Sequence, residues 1–216
     1  MALRTVGKEK GSVDLDGVLC VFLPAFLEVV NETYGMTLKE QDIVQYDFTK
    51  IGLKKDQISA ALDNMIEKKM YQQLPIYEGA FAAIPALFSS YDLMIISSRP
   101  NNSFNQTQQW IQHNFPQRFS AVVFDNKKNE VCKNYHCRFH IDDCAEQINS
   151  LENTNTLPLL FNAGYNRDYS TNLLYHDTVI QEALAYHLLH NGWPSIRVSS
   201  WEECQSLLQA FPVYSS

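Results

Sequence analysis

The sequence predicts an α/β protein, a parallel sheet with helices on its faces and a helical segment near the amino end. Three observations carry this. After Tyr77, short apolar runs alternate with amphipathic stretches, the pattern of strands linked by helical crossovers. Before Tyr77 the apolar residues recur at spacings of three and four, which is helical. The 216-residue length allows a single domain with an elaboration, burying about 70% of the surface of the unfolded chain.

In chain order, the approach to Asp14, Gly7 to Val13, contains one clearly apolar residue, Val13, so either a strand there is short and poorly buried or the chain departs there from the usual apolar pattern. From Val21 to Tyr77 the reading is helical. Phe22, Leu23, Phe26, Leu27, Val30 and Tyr34 form one periodic stretch, with Pro24 in its first turn and Gly35 as its stop. Ile58, Leu62, Met65, Ile66 and Met70 form a second, with Asp56 as its N-cap. Beyond Tyr77, strands are expected at 93–96, 121–124, 139–141, 157–161 and 196–198. Helices are expected near 79–89, 104–115, 145–151, 178–190 and 202–210, and 128–134 reads as a short amphipathic segment. Pro85 is expected to kink or break the first of these. The stretch from Tyr169 to Trp193 is long for one connection, and its extra helix is a candidate for core packing or for a homodimer contact. His187 and His190 share a face of that helix; without a third ligand, packing is the better account than metal binding.

Composition excludes several classes. Apolar residues make up 45% and charged residues 19%, ordinary for a globular protein, and eleven Tyr and twelve Phe argue against disorder. A net charge of −7 without a basic run argues against duplex nucleic acid as a partner. No run reaches the roughly 18 apolar residues that span a bilayer, and Met1–Ser12 lacks the apolar stretch of a signal peptide. Five Cys form no C-x-x-C pair and read as reduced thiols, so a cytoplasmic protein is expected.

Ligands in parallel α/β sheets bind beyond the carboxyl ends of the strands, and three polar clusters follow apolar runs there. Asp14-Leu15-Asp16-Gly17-Val18-Leu19 pairs two carboxylates across a glycine turn. One is placed to attack phosphorus and the other to protonate a leaving oxygen, with a divalent ion to neutralise the crowding. Calcium loops share Asp-x-Asp-Gly, but the remaining ligands of such a loop are missing. Ser97-Ser98-Arg99-Pro100 ends a strand in hydroxyl and amide donors, a cradle for phosphate. Asp142-Asp143 closes another strand with two acids that a metal ion would satisfy. Lys128, upstream, is in reach of the same crevice, although alone it reads as a surface lysine, as Lys127 does.

In this order the four elements resemble the motifs of the haloacid dehalogenase superfamily of phosphatases, over about residues 10 to 145. A finer similarity is to the cytosolic 5′(3′)-deoxyribonucleotidase branch. It adds Ser98-Arg99-Pro100, the segment Phe161 to Arg167 and the segment Val198 to Glu203. The resemblance implies a Rossmann-like three-layer α/β/α core, residues 1–20 and 78–216, with a small helical cap, 21–77, inserted after the first strand. It implies Asp14 as nucleophile and metal ligand. Asp16 would be general acid and then base, its backbone carbonyl touching the metal. Ser97, assisted by Ser98, and Lys128 would bind phosphate, and Asp142 and Asp143 would hold Mg2+. Phe22, Tyr46, Phe48 and Arg99 are candidates for reading the substrate, of which a nucleoside monophosphate leads. A sugar phosphate, or a binding protein that retains the fold without turnover, are the alternatives; the polar approach to Asp14 is the support for the last.

Overall fold

The computed structural model describes residues 7–45 and 47–211. Seven strands form one parallel sheet: β1 (Lys10–Val13), β2 (Asp92–Ser97), β3 (Ala121–Phe124), β4 (Phe139–Asp142), β5 (Leu157–Phe161), β6 (Leu173–Leu174) and β7 (Ile196–Val198). Their order is β3-β2-β1-β4-β5-β7-β6, which puts β1 near the centre. Eight helices accompany it among the described residues: α1 (Leu23–Tyr34), α2 (Lys55–Glu67), α3 (Ala80–Ser90), α4 (Phe104–Asn114), α5 (Lys128–Tyr135), α6 (Ala145–Asn149), α7 (Val179–His190) and α8 (Trp201–Ala210). None is long and apolar enough to cross a membrane.

Alternation along the strands sorts the two faces. Leu93 and Ile95 pack in the main core with residues of α3 and α8, while Met94 and Ile96 turn to Val131 and Cys132 of α5. Leu160 likewise leaves its neighbours to meet Ala145 and Ile148 of α6. Strands covered on both faces read as unbroken apolar runs, which is why β2 and β5 are legible in the sequence.

Of the two readings of the first strand, poor burial is overturned, and a buried strand that departs from the usual apolar pattern is found. Gly11, Ser12 and Val13 are all buried, and β1 pairs with β2 and β4. Its polar composition has two local causes. Gly11 faces Phe139 across the ladder, and the Phe139 ring occupies the space a side chain would take. Ser12 faces His140 and bonds it at 2.9 Å, so two polar residues satisfy each other inside the sheet.

Other boundaries move for identifiable reasons. Lys54, not Asp56, caps α2, with the Gln57 side chain accepting from its amide at 2.9 Å; Asp56 lies in the first turn instead. α3 continues through Pro85 without interruption. The long connection holds α7, as expected, and also β6, whose two residues are too few for a periodic signal. His187 stacks on Trp193 at 4.1 Å, a packing role.

Between β1 and α3 the chain leaves the core and returns. Val21 N–H donates to Pro75 O and Tyr77 N–H to Leu19 O, both within 2.9 Å, so the outgoing and returning passages are tied together. Among the described residues, the segment they enclose contains α1, α2 and three short 3-10 turns, with no strand of the sheet. Gly35 ends α1 in the left-handed region (φ 64°), as its stop signal requires.

Candidate active site

The carboxyl ends of β1, β2 and β4 and the first turn of α5 converge on one cavity of about 250 Å³. Asp14 follows β1 directly, and its amide donates to Ile141 O at 2.9 Å. The chain then folds on itself: the amides of Leu19 and Cys20 both donate to Leu15 O. Gly17 makes this turn possible twice over. Its φ is 81°, and a Cβ there would lie 2.0 Å from Oδ2 of Asp143. Trp201 Nε1 donates to Val18 O at 2.9 Å and fastens the turn to α8.

Lys128 opens α5 and is 2% exposed, so the surface reading fails for it while holding for the exposed Lys127. Its Nζ lies 2.8 Å from Oδ1 of Asp14 and 2.7 Å from Oδ2 of Asp142. Burial works against its charge, but the two carboxylates outweigh that and raise its pKa. Asp142 is also fully buried; Lys128 and His140 overcome the cost of burial and hold its carboxyl well below the usual range. His140 Nε2 lies 2.9 Å from Asp142 Oδ2, and the amide of Cys144 donates to Oδ1 at 2.9 Å. With the imidazole neutral, as its burial favours, Nε2–H donates to Asp142 and Nδ1 accepts from the Ser12 hydroxyl. Ser12, His140, Asp142, Lys128 and Asp14 are thus linked in one buried chain of contacts.

Ser97 ends β2, 1% exposed, and its Oγ accepts from the Arg99 amide at 3.3 Å, leaving its own proton to donate into the cavity. Ser98 is exposed at the cavity edge. Arg99, expected among the residues that read the substrate, is committed elsewhere. Its guanidinium forks onto both oxygens of Asp16, Nε to Oδ2 at 2.8 Å and a terminal nitrogen to Oδ1 at 2.6 Å. Phe22 and Phe48 line the cavity, yet both also pack on Phe26, at 5.6 and 4.5 Å between ring centres. Tyr46 lies outside the described residues. Sequence reasoning missed Ser12, His140, Tyr165 and Tyr71, the last of which lines the cavity. Two signals were available among these: a histidine inside an apolar strand two residues before an acid, and the place of Tyr165 in the Phe161 to Arg167 similarity.

Asp14, Asp142 and Asp143 each offer an oxygen within 4.8 Å of the others. With Asp16 neutralised by Arg99, three buried carboxylates face one ammonium, an excess of two negative charges. Isolated charges of that kind are expensive away from water. The strain shows in the pKa values: burial, then Asp142 and Asp14, push the Asp143 carboxyl well above its ordinary value. Burial, with Asp142 and Asp16 adding to it against Lys128, pushes Asp14 up to about 7. An all-oxygen cluster short of two positive charges fits a divalent cation of the hard class. Tyr165 donates its hydroxyl to Asp143 Oδ2, and Asn166 Nδ2 donates to Asp143 O at 2.8 Å, so the loop after β5 supports this end of the cluster. A larger cleft of about 890 Å³, at the amino ends of β4 and β5, holds none of these acids.

The chain resembles known proteins in both sequence and fold. A Halalkalibacterium halodurans protein assigned as a nucleotidase is 27% identical over 168 residues, 76% of this chain and 85% of the relative. The 5′(3′)-deoxyribonucleotidase of Bacillus subtilis is 26% identical over 160 residues, 73% of this chain and 87% of the relative. A hydrolase of the haloacid dehalogenase-like family from Streptococcus pneumoniae superposes with a TM-score of 0.62 at 15% identity, covering 94% of this chain and 99% of the other. Residues 11–183 match the family described as 5′ nucleotidase, deoxy (pyrimidine), cytosolic type C protein, a span that takes in every motif of the cavity. The chain belongs to that family of phosphomonoesterases and has the fold of haloacid dehalogenase-like hydrolases.

Proposed function

We propose that this protein is a magnesium-dependent 5′-nucleotidase that hydrolyses (deoxy)nucleoside monophosphates through an aspartyl-phosphate on Asp14. The observation that carries the reading is the pairing of Asp14 with Lys128 at the floor of a cavity whose acids are short of two positive charges. In the first step a carboxylate oxygen of Asp14 bonds to phosphorus while the bond from phosphorus to the nucleoside oxygen breaks. Asp16 takes up a proton from solvent and passes it to that departing oxygen. In the second step water attacks phosphorus, its proton goes to Asp16, and the bond to Asp14 breaks, releasing inorganic phosphate. Two displacements each have a lower barrier than one direct hydrolysis.

Lys128 and the Ser97 hydroxyl bind the phosphoryl oxygens, and Lys128 also orients Asp14. Preorganised charge of this kind, in a dry site, supplies most of the rate in phosphoryl transfer. Asp14, Asp142 and Asp143, with the Asp16 backbone carbonyl, would hold Mg2+, which when bound neutralises the charge of the phosphate and its nucleophile. The helical segment between β1 and α3 acts as the cap, and Phe22 and Phe48 offer faces on which a base stacks. The alternative of binding without turnover rested on the polar approach to Asp14. That support is removed, because β1 is buried and paired on both sides.

The test is phosphate release from a panel of nucleoside and deoxynucleoside monophosphates and sugar phosphates, with and without Mg2+, for the wild type and Asp14→Asn. Magnesium-dependent release that is lost in the variant supports the reading, and the panel ranks the substrates. Release from sugar phosphates alone would move the substrate class, and release from nothing would leave a binding protein.

A further inference from the structure

The reaction described above uses none of the five free thiols, yet two of them touch. Cys132 lies on α5 four residues after Lys128, so the two side chains leave one face of the helix, and both are buried. α5 ends at His136 in the left-handed region (φ 54°), and the Cys137 amide donates to Cys132 O at 2.8 Å. A cap of this form sets two side chains five apart against each other, ordinarily as an apolar contact. Here both are thiols, with Cys132 donating to Cys137, and Met94, Ile96 and Leu151 close around them. Cys132 Sγ also lies 3.5 Å from the Ser12 hydroxyl, which is 2.9 Å from His140 Nδ1. The pair thus stands at the head of the buried chain of contacts that runs through His140 to Asp142 and Lys128. Cys132 and Cys137, the latter 3% exposed, both line the cleft of about 890 Å³ at the amino ends of β4 and β5, which gives small molecules a way to them. The hydrogen bond from Cys132 lowers the Cys137 thiol below its ordinary pKa against the effect of burial, while that bond and burial raise Cys132. One sulfur is favoured as the nucleophile and the other stands ready to resolve it.

We propose that Cys132 and Cys137 are an oxidisable pair, which a peroxide entering the cleft converts to a disulfide that slows phosphoryl transfer by disturbing the seat of Lys128 and Asp142. The Cys137 sulfur attacks one oxygen of hydrogen peroxide, the O–O bond breaks, and the other oxygen leaves with the thiol proton as water. The Cys132 sulfur then attacks the resulting sulfenic sulfur, the S–O bond breaks, and hydroxide leaves with the Cys132 proton as a second water. Two thiols give up two electrons, and one peroxide is reduced to two waters. A disulfide holds its sulfurs at about 2.0 Å, far closer than two hydrogen-bonded thiols, so Cys132 must move. Ser12 lies against Cys132, and Lys128 stands one turn before it on the same helix, so both are drawn along. This consequence rests on the reading of Asp142 as a metal ligand and Lys128 as a phosphate ligand. Partners behind a metal ligand orient it, and disturbing them costs about 10–100-fold in affinity or activity.

The experiment treats the reduced full-length wild type and Cys137→Ala with hydrogen peroxide, blocks the remaining thiols and maps the tryptic peptides by mass spectrometry. Trypsin cuts after Lys133, so the two cysteines fall on separate peptides unless a disulfide joins them. In parallel, phosphate release is followed on a deoxynucleoside 5′-monophosphate and on 4-nitrophenyl phosphate, together with the Mg2+ concentration that half-completes the rise in Tm. For the wild type we expect the Cys132–Cys137 disulfide, a rate lower by about tenfold or more, and a Mg2+ midpoint higher by about threefold or more. Dithiothreitol restores both, and Cys137→Ala keeps its rate and midpoint through the same treatment. Peptides in which the two cysteines stay as thiols, or each carries its own oxide, would overturn the proposal. So would a disulfide that leaves both rate and midpoint unchanged. An equal loss in Cys137→Ala, which retains the half-buried Cys144 at the active-site cavity, would place the sensitivity there and overturn it too. Should Cys137→Ala fail to fold, Cys137→Val takes its place, and the peptide map of the wild type needs no variant. A wild type inert on both esters before oxidation sinks the nucleotidase reading alone, while the disulfide and the Mg2+ midpoint still decide the fate of the thiol pair.

Discussion

Replacing Gly11 by Ala tests whether the strand that delivers Asp14 owes its odd composition to one aromatic ring. Gly11 and Phe139 are partners across β1 and β4, and Phe139 is fully buried. The ring is held edge-on by Tyr91 at 5.0 Å and 88°, and the Tyr91 hydroxyl is anchored on Leu208 O at 2.8 Å. A Cβ on residue 11 would lie 2.1, 2.4 and 2.8 Å from three carbons of that ring. Carbon atoms sit comfortably at about 3.5–4.0 Å, so the ring must retreat by more than about 1 Å into side chains that are themselves fully buried. Overpacking of this kind costs about 1–3 kcal/mol, and a clash this deep belongs to the upper half of the range. In a domain of this size 1 kcal/mol moves Tm by about 2–4 °C, so Gly11→Ala should melt roughly 4–12 °C below the wild type. The assay is thermal and urea unfolding of the wild type, Gly11→Ala, Phe139→Leu and the double variant. Because Phe139→Leu vacates the space the new methyl needs, it should cost at least about 1 kcal/mol less in the Gly11→Ala background than in the wild type. A single variant melting within about 1 °C of the wild type, or strictly additive losses, would refute the reasoning.

Two further outcomes follow from the charge balance of the site. Lys128→Met leaves the buried carboxylates of Asp14 and Asp142 facing each other without their cation; breaking such a buried pair should cost about 3–5 kcal/mol and abolish phosphate release. A variant that melts with the wild type would show that the ion pairs are not held as described. The second concerns pH. The folded pKa of Asp14 is raised above its ordinary 3.8 to about 7, with Lys128, Asp142, Asp143 and Asp16 around it. A raised carboxylate pKa means that the fold favours the protonated form, so this part of the stability is full below about pH 4 and is lost as pH rises through about 7. Mg2+ takes the place of that proton, so it should raise Tm more at pH 8 than at pH 5.5. Equal increments at the two pH values would contradict the assignment of Asp14 as a ligand.

What the chain determines locally was legible in advance. The apolar runs of β2 and β5, the helical spacing of α1 and its stop at Gly35, and the four acidic, hydroxyl and lysine motifs are properties of neighbouring residues. Steric preference and periodicity act at that range. The resemblance built on those motifs also held, since they mark strand ends that the parallel fold brings to one side of the sheet.

Pairings between distant residues were decided only by the tertiary structure. Ser12 bonds His140 across 128 positions of chain, and Arg99 grips Asp16 across 83. In isolation three charges, a glycine and a serine before Asp14 describe a poor strand. Beside β4 the glycine is the gap that Phe139 fills and the serine is the partner that His140 lacks. Lys128 carried the same lesson, surface-like by sequence and buried by the two carboxylates that meet it. β6 stayed hidden because two residues show no period and gain their order from β7. The physical reason is common to all of these: local sequence sets which backbone shapes are cheap, whereas the cost of burying a polar or missing side chain depends on what the register places opposite it.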